Sequence, residues 1–189
     1  MYQKYYTEAL VLSSRERGES DRVFSLYTEA FGLVRTRASA VRTEKSRMRY
    51  ALQNYSRARV ALVKGKQGWR VGGATALSQI GGTVNNITVF ARIARLVLRL
   101  VAGEEQNPYL FAALREAHSA LTRSAEASAT IELVCVARLL HALGYLSSEA
   151  LSTTLFTHTA YAETDLKEAE FLQAELVSSI NRAIAETHL

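Results

Sequence analysis

The chain has one cysteine, one proline and, in its first eighty residues, only six acidic side chains. Each shortage excludes something. With Cys135 alone, no intramolecular disulfide can form and no zinc site built on several thiolates is possible. Leu133-Val134-Cys135-Val136 surrounds that thiol with apolar neighbours, so a buried, unreactive cysteine is expected. The most hydrophobic stretch, Ile93 to Ala102, is broken by Arg95 and Arg99 and is too short to span a bilayer. The opening Met1-Tyr2-Gln3-Lys4-Tyr5-Tyr6 lacks the apolar core of a signal peptide, so a cytoplasmic location with no membrane partner is expected. Gly65-Lys66 has neither the spacing nor the hydroxyl partner of a phosphate-binding loop. His118, His141, His158 and His188 show no metal-ligand spacing with carboxylates. The expectation is no metal, no cofactor and no catalytic group. An enzyme survives only as a spatial triad invisible in sequence.

What is present is a strong asymmetry of charge. Residues 1–80 hold fifteen Lys and Arg against six Asp and Glu, a balance of +9. Residues 81–189 hold eight against twelve, a balance of −4. The overall +5 therefore conceals two regions of opposite sign. A basic region attracts polyanions through counterion release and steering, and nucleic acid is the commonest such partner. Two domains with two tasks are expected, 1–80 and 81–189.

The pattern changes at the same place. Thr7 to Ser14, Arg22 to Thr28, Leu33 to Arg42, Arg57 to Lys64 and Trp69 to Thr75 read as short strands, with Gly32 and Gly65-Lys66-Gln67-Gly68 as turns. In the third strand, period-two alternation puts Val34, Thr36, Ala38 and Ala40 on one face and Leu33, Arg35, Arg37 and Ser39 on the other. A helical excursion falls near Met48 to Asn54. Five strands with one excursion fit the oligonucleotide-binding β-barrel; an SH3-like barrel or small sandwich fits the pattern too. Gly72-Gly73 and Gly81-Gly82 read as turn and linker glycines.

Beyond them the period is 3.6. Thr83 to Ala102 carries a stripe of Ile87, Phe90, Ala94, Val97, Leu98 and Val101. Asn107-Pro108 starts a second helix that buries Phe111, Leu114 and Leu121. A third runs from Ala127 to Leu143 and stops at Gly144. A fourth begins near Thr164-Asp165 and buries Leu166, Phe171, Leu176, Ile180 and Ile184. The fold class is α+β: a five-stranded barrel followed by an α-helical bundle.

A binder of nucleic acid needs a cationic groove and aromatic faces. The candidate bases are Arg15, Arg17, Arg35, Arg37, Arg42, Lys45, Arg47, Arg49, Arg57, Arg59, Lys64 and Lys66. Arg35 and Arg37 lie two apart on one strand, and Arg57 and Arg59 repeat that spacing on another. The aromatic supply is Tyr2, Tyr5, Tyr6, Phe24, Tyr27, Phe31, Tyr50, Tyr55 and Trp69, of which Phe24 and Phe31 read as core and Tyr50 and Trp69 as either. Any single Arg reads more readily as a solvated strand residue, and it is the cluster as a whole that points to binding. An RNA-binding module and a basic scaffold for acidic proteins remain alternatives.

Several short motifs occur in a recognisable order. Val11-Leu12, Glu19-Ser20-Asp21-Arg22, Thr28-Glu29-Ala30-Phe31-Gly32, Val41-Arg42, Lys45-Ser46 and Leu52-Gln53-Asn54-Tyr55 resemble the N-terminal half of the RecO family. Arg138-Leu139-Leu140-His141-Ala142-Leu143-Gly144-Tyr145 is similar to a helix ending in that family's helical domain. The resemblance implies a bacterial, nucleoid-associated DNA-repair protein that binds single- and double-stranded DNA, anneals strands and helps load recombinase. It further implies two partners: a RecR-type mediator, and the acidic, Phe-ending tail of single-stranded-DNA-binding protein. Arg92, Arg95 and Arg99, at helical spacing, and Arg138 are the candidates for holding that tail. The chain departs from the family at Ser39-Ala40, where Lys-Gly is common, and at Asn54, where Pro is common. Ser147 to Ala162 carries no four-cysteine zinc motif.

Overall fold

The computed structural model describes residues 3–81, 83–123, 126–147, 151 and 153–187. Two compact units emerge: Met1–Gln79 with Ala102–Gln106, and Ile80–Val101 with Asn107–Leu189. The chain thus returns to the first unit at Ala102–Gln106, which a single division at 80/81 does not contain. That return packs on the β2–β3 turn, because a Cβ on Gly32 (φ +62°) would stand 2.0 Å from the Glu105 carbonyl oxygen.

Strands β1 (Lys4–Arg17), β2 (Asp21–Thr28), β3 (Gly32–Ala38), β4 (Arg57–Gly65) and β5 (Gly68–Ser78) close into one barrel in the order β1-β2-β3-β5-β4. A single closed barrel removes the sandwich. The short helix α1 (Met48–Ala51) is the excursion between β3 and β4. Alternation sends Ala9, Val11, Phe24, Leu26, Val34, Ala58, Val60, Leu62, Trp69 and Val71 into a common apolar core. Tyr5 meets Phe31 and Trp69 edge-on at 5.4 and 5.7 Å.

Three expectations change here. Strand β3 ends at Ala38, because Ala40 turns to φ +53°, and Ala40 is exposed rather than facing the core. Asp21 Oδ1 holds that turn by accepting the Ala40 N–H at 2.9 Å. Gly72 and Gly73 are not linkers: they lie inside β5, where the β4–β5 register shifts between Ala61 and Leu62.

The second unit consists of α2 (Val84–Leu100), α3 (Pro108–Arg123), α4 (Ser128–Ala142), α5 (Glu163–Phe171) and α6 (Gln173–Glu186). Asn107 Oδ1 caps α3 by accepting the Leu110 N–H at 2.9 Å, and Gly144 leaves α4 at φ +80°. On α2 the buried stripe is Asn86, Val89, Phe90, Ile93, Ala94, Val97 and Leu100, rotated from the expected one. Asn86 draws that face inward by donating to the Leu121 carbonyl at 2.7 Å, which leaves Ile87 outside. The expected fourth helix is two, broken at Leu172, and Phe171 at the break is 89% exposed rather than buried. Cys135 is buried, and burial pushes its thiol up to about 12. Among the described residues no helix is long and apolar enough to cross a membrane, and no group of three metal-ligating side chains gathers. Tyr2, Gly82 and His188 lie outside the described residues.

Candidate nucleic-acid interface

Strand register, not sequence spacing, decides which cations share a surface. Arg15 pairs with Val23, Val23 with Arg37, Arg37 with Arg70, Arg70 with Val63, and Val63 with Lys4. Directly opposed residues point to the same side of a sheet, and neighbouring strands lie about 4.8 Å apart. The outer wall therefore carries a row running β1, β2, β3, β5, β4 and back to β1, with Arg15, Arg37, Arg70 and Lys4 on it. All four are exposed. Arg35 lies one outward step along β3 from Arg37, opposite Ser25. Arg17 lies one outward step beyond Arg15, opposite Asp21. Lys66 extends the row, because it lines a hollow of about 260 Å³ together with Arg70.

Carboxylates meet few of these charges. Arg37 pairs with Asp21, and Lys64 Nζ lies 2.9 Å from Glu104 Oε2 and 4.9 Å over the Trp69 ring. The Ala40 amide and the Arg37 guanidinium hold the Asp21 carboxyl below its usual range. Lys64 does the same for Glu104. Among the described residues no ion pair reaches Arg15, Arg17, Arg35, Lys45, Arg47, Arg49, Arg57, Arg59, Lys66 or Arg70.

A second basic surface opens at one end of the barrel. Inward-facing residues beyond the core and the 41–54 segment enclose a cleft of about 720 Å³. Arg22, Arg42, Arg49 and Tyr50 line it. Arg49 Nη2 donates to Tyr50 Oη at 2.7 Å, and Tyr50 remains 57% exposed. Glu16 stands between Arg22 (3.5 Å) and Arg42 (3.3 Å). Lys45 and Arg47 are exposed on the same segment but do not line the cleft. Trp69 is core, and Phe24 borders the cleft but is fully buried, so among the described residues that line the cleft Tyr50 is the exposed aromatic.

Arg57 and Arg59 lie on the outer face of β4, away from the row that carries Arg37 and Arg70. Arg59 is opposite Thr75 on β5 and Glu8 on β1, five residues along β5 from Arg70, roughly 16 Å at strand rise. Arg57 is half-buried beyond it. Conversely, Lys4, Arg22 and Arg70 join the basic surfaces although residue spacing alone does not single them out. Arg70 alternates with the core residues Trp69 and Val71, which is the signal that sets it outward.

On the helical unit, Arg92, Arg95 and Arg99 form an exposed edge of α2, but Arg92 is held by Glu132 of α4 at 2.6 Å. Arg138 is a correction. It is 0% exposed and donates to the carbonyls of Leu155, Thr159 and Ala160 at 2.8–2.9 Å, with its guanidinium 4.7 Å from the Tyr161 ring. It ties the 155–160 segment to α4 and offers no surface cation to a partner.

Comparison with known proteins follows the same division. The family model described as "Recombination protein O N terminal" matches residues 1–75, and "Recombination protein O C terminal" matches 82–153. A DNA repair protein RecO of Myxococcus xanthus is 33% identical over 125 residues, covering 64% of this chain and 50% of that protein. One from Pelotomaculum thermopropionicum is 30% identical over 110 residues, covering 57% and 43%. One from Desulfitobacterium hafniense is 44% identical over 62 residues, covering 33% and 23%. The matches span between about a quarter and half of these relatives' lengths. With both domain models matched in order on a closed barrel followed by helices, the chain belongs to the RecO family.

Proposed function

We propose that the barrel, residues 1–80, binds single- and double-stranded DNA chiefly through backbone phosphate, with little base preference. The observation that carries this reading is the outward row of Arg15, Arg37, Arg70 and Lys4, of which Arg37 alone meets a carboxylate among the described residues. A row of like charges on adjoining strands is self-repelling until a polyanion lies across it. Phosphates held there release their counterions, which favours binding without reading sequence. Two strands neutralised on one protein repel each other less, and that is the physical content of annealing.

In this reading the protein is a non-enzymatic recombination mediator, cytoplasmic and nucleoid-associated, that assists recombinase loading onto protein-coated single strands. The helical part, residues 81–189, serves a RecR-type mediator and the tail of single-stranded-DNA-binding protein, with Arg95 and Arg99 the accessible cations for the latter. The test is a salt titration of single-strand affinity. Arg15→Ala with Arg70→Ala should flatten the slope of log affinity against log salt by about 0.7 for each phosphate that is no longer neutralised. An unchanged slope would assign DNA binding to another surface.

A further inference from the structure

One aromatic side chain on the barrel is exposed for no reason the fold supplies. Tyr6 lies on the outer face of β1, two residues from Lys4, and is 71% exposed. Its neighbour Tyr5 points inward to Phe31 and Trp69, but among the described residues Tyr6 makes no hydrogen bond or ring contact. Leaving so large an apolar ring in water forgoes the gain of burying it.

The residues beside Tyr6 are unusually small. Register carries the line from Tyr6 to Ala61 on β4 and from Ala61 to Gly73 on β5. A Cβ built on Gly73 would sit 3.9 Å from the Ala61 Cβ, so both positions face the same side and the surface between them is bare. The result is a low apolar shelf about two strand spacings wide with an aromatic ring standing at one edge. The next outward line is Lys4, Val63 and Arg70, the end of the cationic row. Arg59 flanks the shelf on the other side, opposite Glu8, which is half-buried.

A flat apolar shelf with one ring, bordered by cations, suits a ligand with an apolar face joined to a chain of negative charge. We propose that Tyr6 and the Ala61–Gly73 shelf stack an unpaired nucleobase while Lys4 and Arg70 hold its flanking phosphates. This rests on the phosphate reading of the barrel and adds to it a preference for strands whose bases are free. A duplex keeps its bases stacked on one another and presents only its phosphates to the same row.

The experiment measures affinity of the full chain for three probes of equal length: a single strand, its duplex, and an abasic sugar-phosphate strand. Stacking on an aromatic side chain is worth about 1–3 kcal/mol per base, so Tyr6→Ala should weaken the single strand by roughly 5- to 150-fold. The duplex and the abasic strand should change by less than about twofold. Gly73→Leu, which keeps the ring but fills the shelf, should act in the same direction. A 2-aminopurine base in the single strand should be quenched by the wild-type chain and not by either variant. Equal weakening on all three probes, or none on the single strand, overturns the stacking assignment and leaves the phosphate reading intact. Failure of the wild-type chain to bind any of the three overturns both.

Discussion

Arg37 gives both Nε, at 2.7 Å, and Nη2 to a single oxygen of Asp21, whose other oxygen accepts the Ala40 amide. One carboxylate thus ties the end of β3 to the start of β2 and fixes the turn that follows. Because these bonds favour the ionised form, the Asp21 carboxyl titrates below its ordinary value of 3.8 in the folded chain. A depressed folded value means stability that is present above 3.8 and lost as pH falls through the folded value. Asp21→Asn should therefore be less stable than wild type at pH 7, with the two converging in acid. Urea midpoints measured from pH 7 to pH 2 check this, and a gap independent of pH refutes it.

Glu16 occupies the cleft as a phosphate would, between Arg22 and Arg42. Glu16→Gln removes the carboxylate charge from both guanidinium groups, while Arg42 keeps its bond to the Gly18 carbonyl, so single-strand affinity at low salt should rise several-fold. The salt slope should steepen by about 0.7 for each additional phosphate neutralised. Fluorescence anisotropy across a salt series gives both numbers. A weaker complex would mean that Glu16 orders the two arginines for the ligand rather than competing with it.

Gly32 combines a left-handed backbone with the tightest surroundings of the described glycines, since an added Cβ would stand 2.0 Å from the Glu105 carbonyl oxygen. Gly32→Ala adds the left-handed penalty of about 1–2 kcal/mol to a backbone clash that no rotamer relieves. Chemical denaturation should show destabilisation by more than about 2 kcal/mol on that basis. At Gly18, where a Cβ meets nothing within 4 Å, alanine should cost only the backbone part.

Arg138→Met removes a buried cation and leaves the carbonyls of Leu155, Thr159 and Ala160 without their donor. The expected destabilisation is about 2–4 kcal/mol in denaturant unfolding, with DNA affinity unchanged. A selective drop in affinity for an acidic Phe-ending peptide, with stability intact, would restore Arg138 to the partner surface.

Much of the barrel is legible in the sequence because period-two alternation reports a strand's two faces locally: Val34 and Thr36 inward, Arg35 and Arg37 outward, all as the pattern implies. What alternation cannot report is register between strands far apart in sequence. Arg37 and Arg70 become neighbours through a parallel pairing that neither strand's pattern encodes, and Tyr6 meets Gly73 only through β4. Gly72-Gly73 misleads for a related reason, since paired glycines signal a turn unless a bulge uses them within a strand. In the helical unit Asn86 overrides hydropathy: its hydrogen bond to the Leu121 carbonyl turns a polar residue inward and Ile87 outward. Arg138 escapes the pattern because a buried cation satisfied by carbonyls leaves no trace in the spacing of apolar residues.

Among the described residues β3 and β5 are joined by two rungs alone, Thr36 to Trp69 and Arg37 to Arg70. That seam is the shortest junction in the barrel, and the one tryptophan of the chain lies on it, 5% exposed. Opening the seam wets Trp69, so its emission wavelength is a built-in gauge of barrel closure. On the proposed reading, a polyanion laid across Arg37 and Arg70 should staple the same two strands together, and the protein's own fluorescence should register it as a tighter barrel.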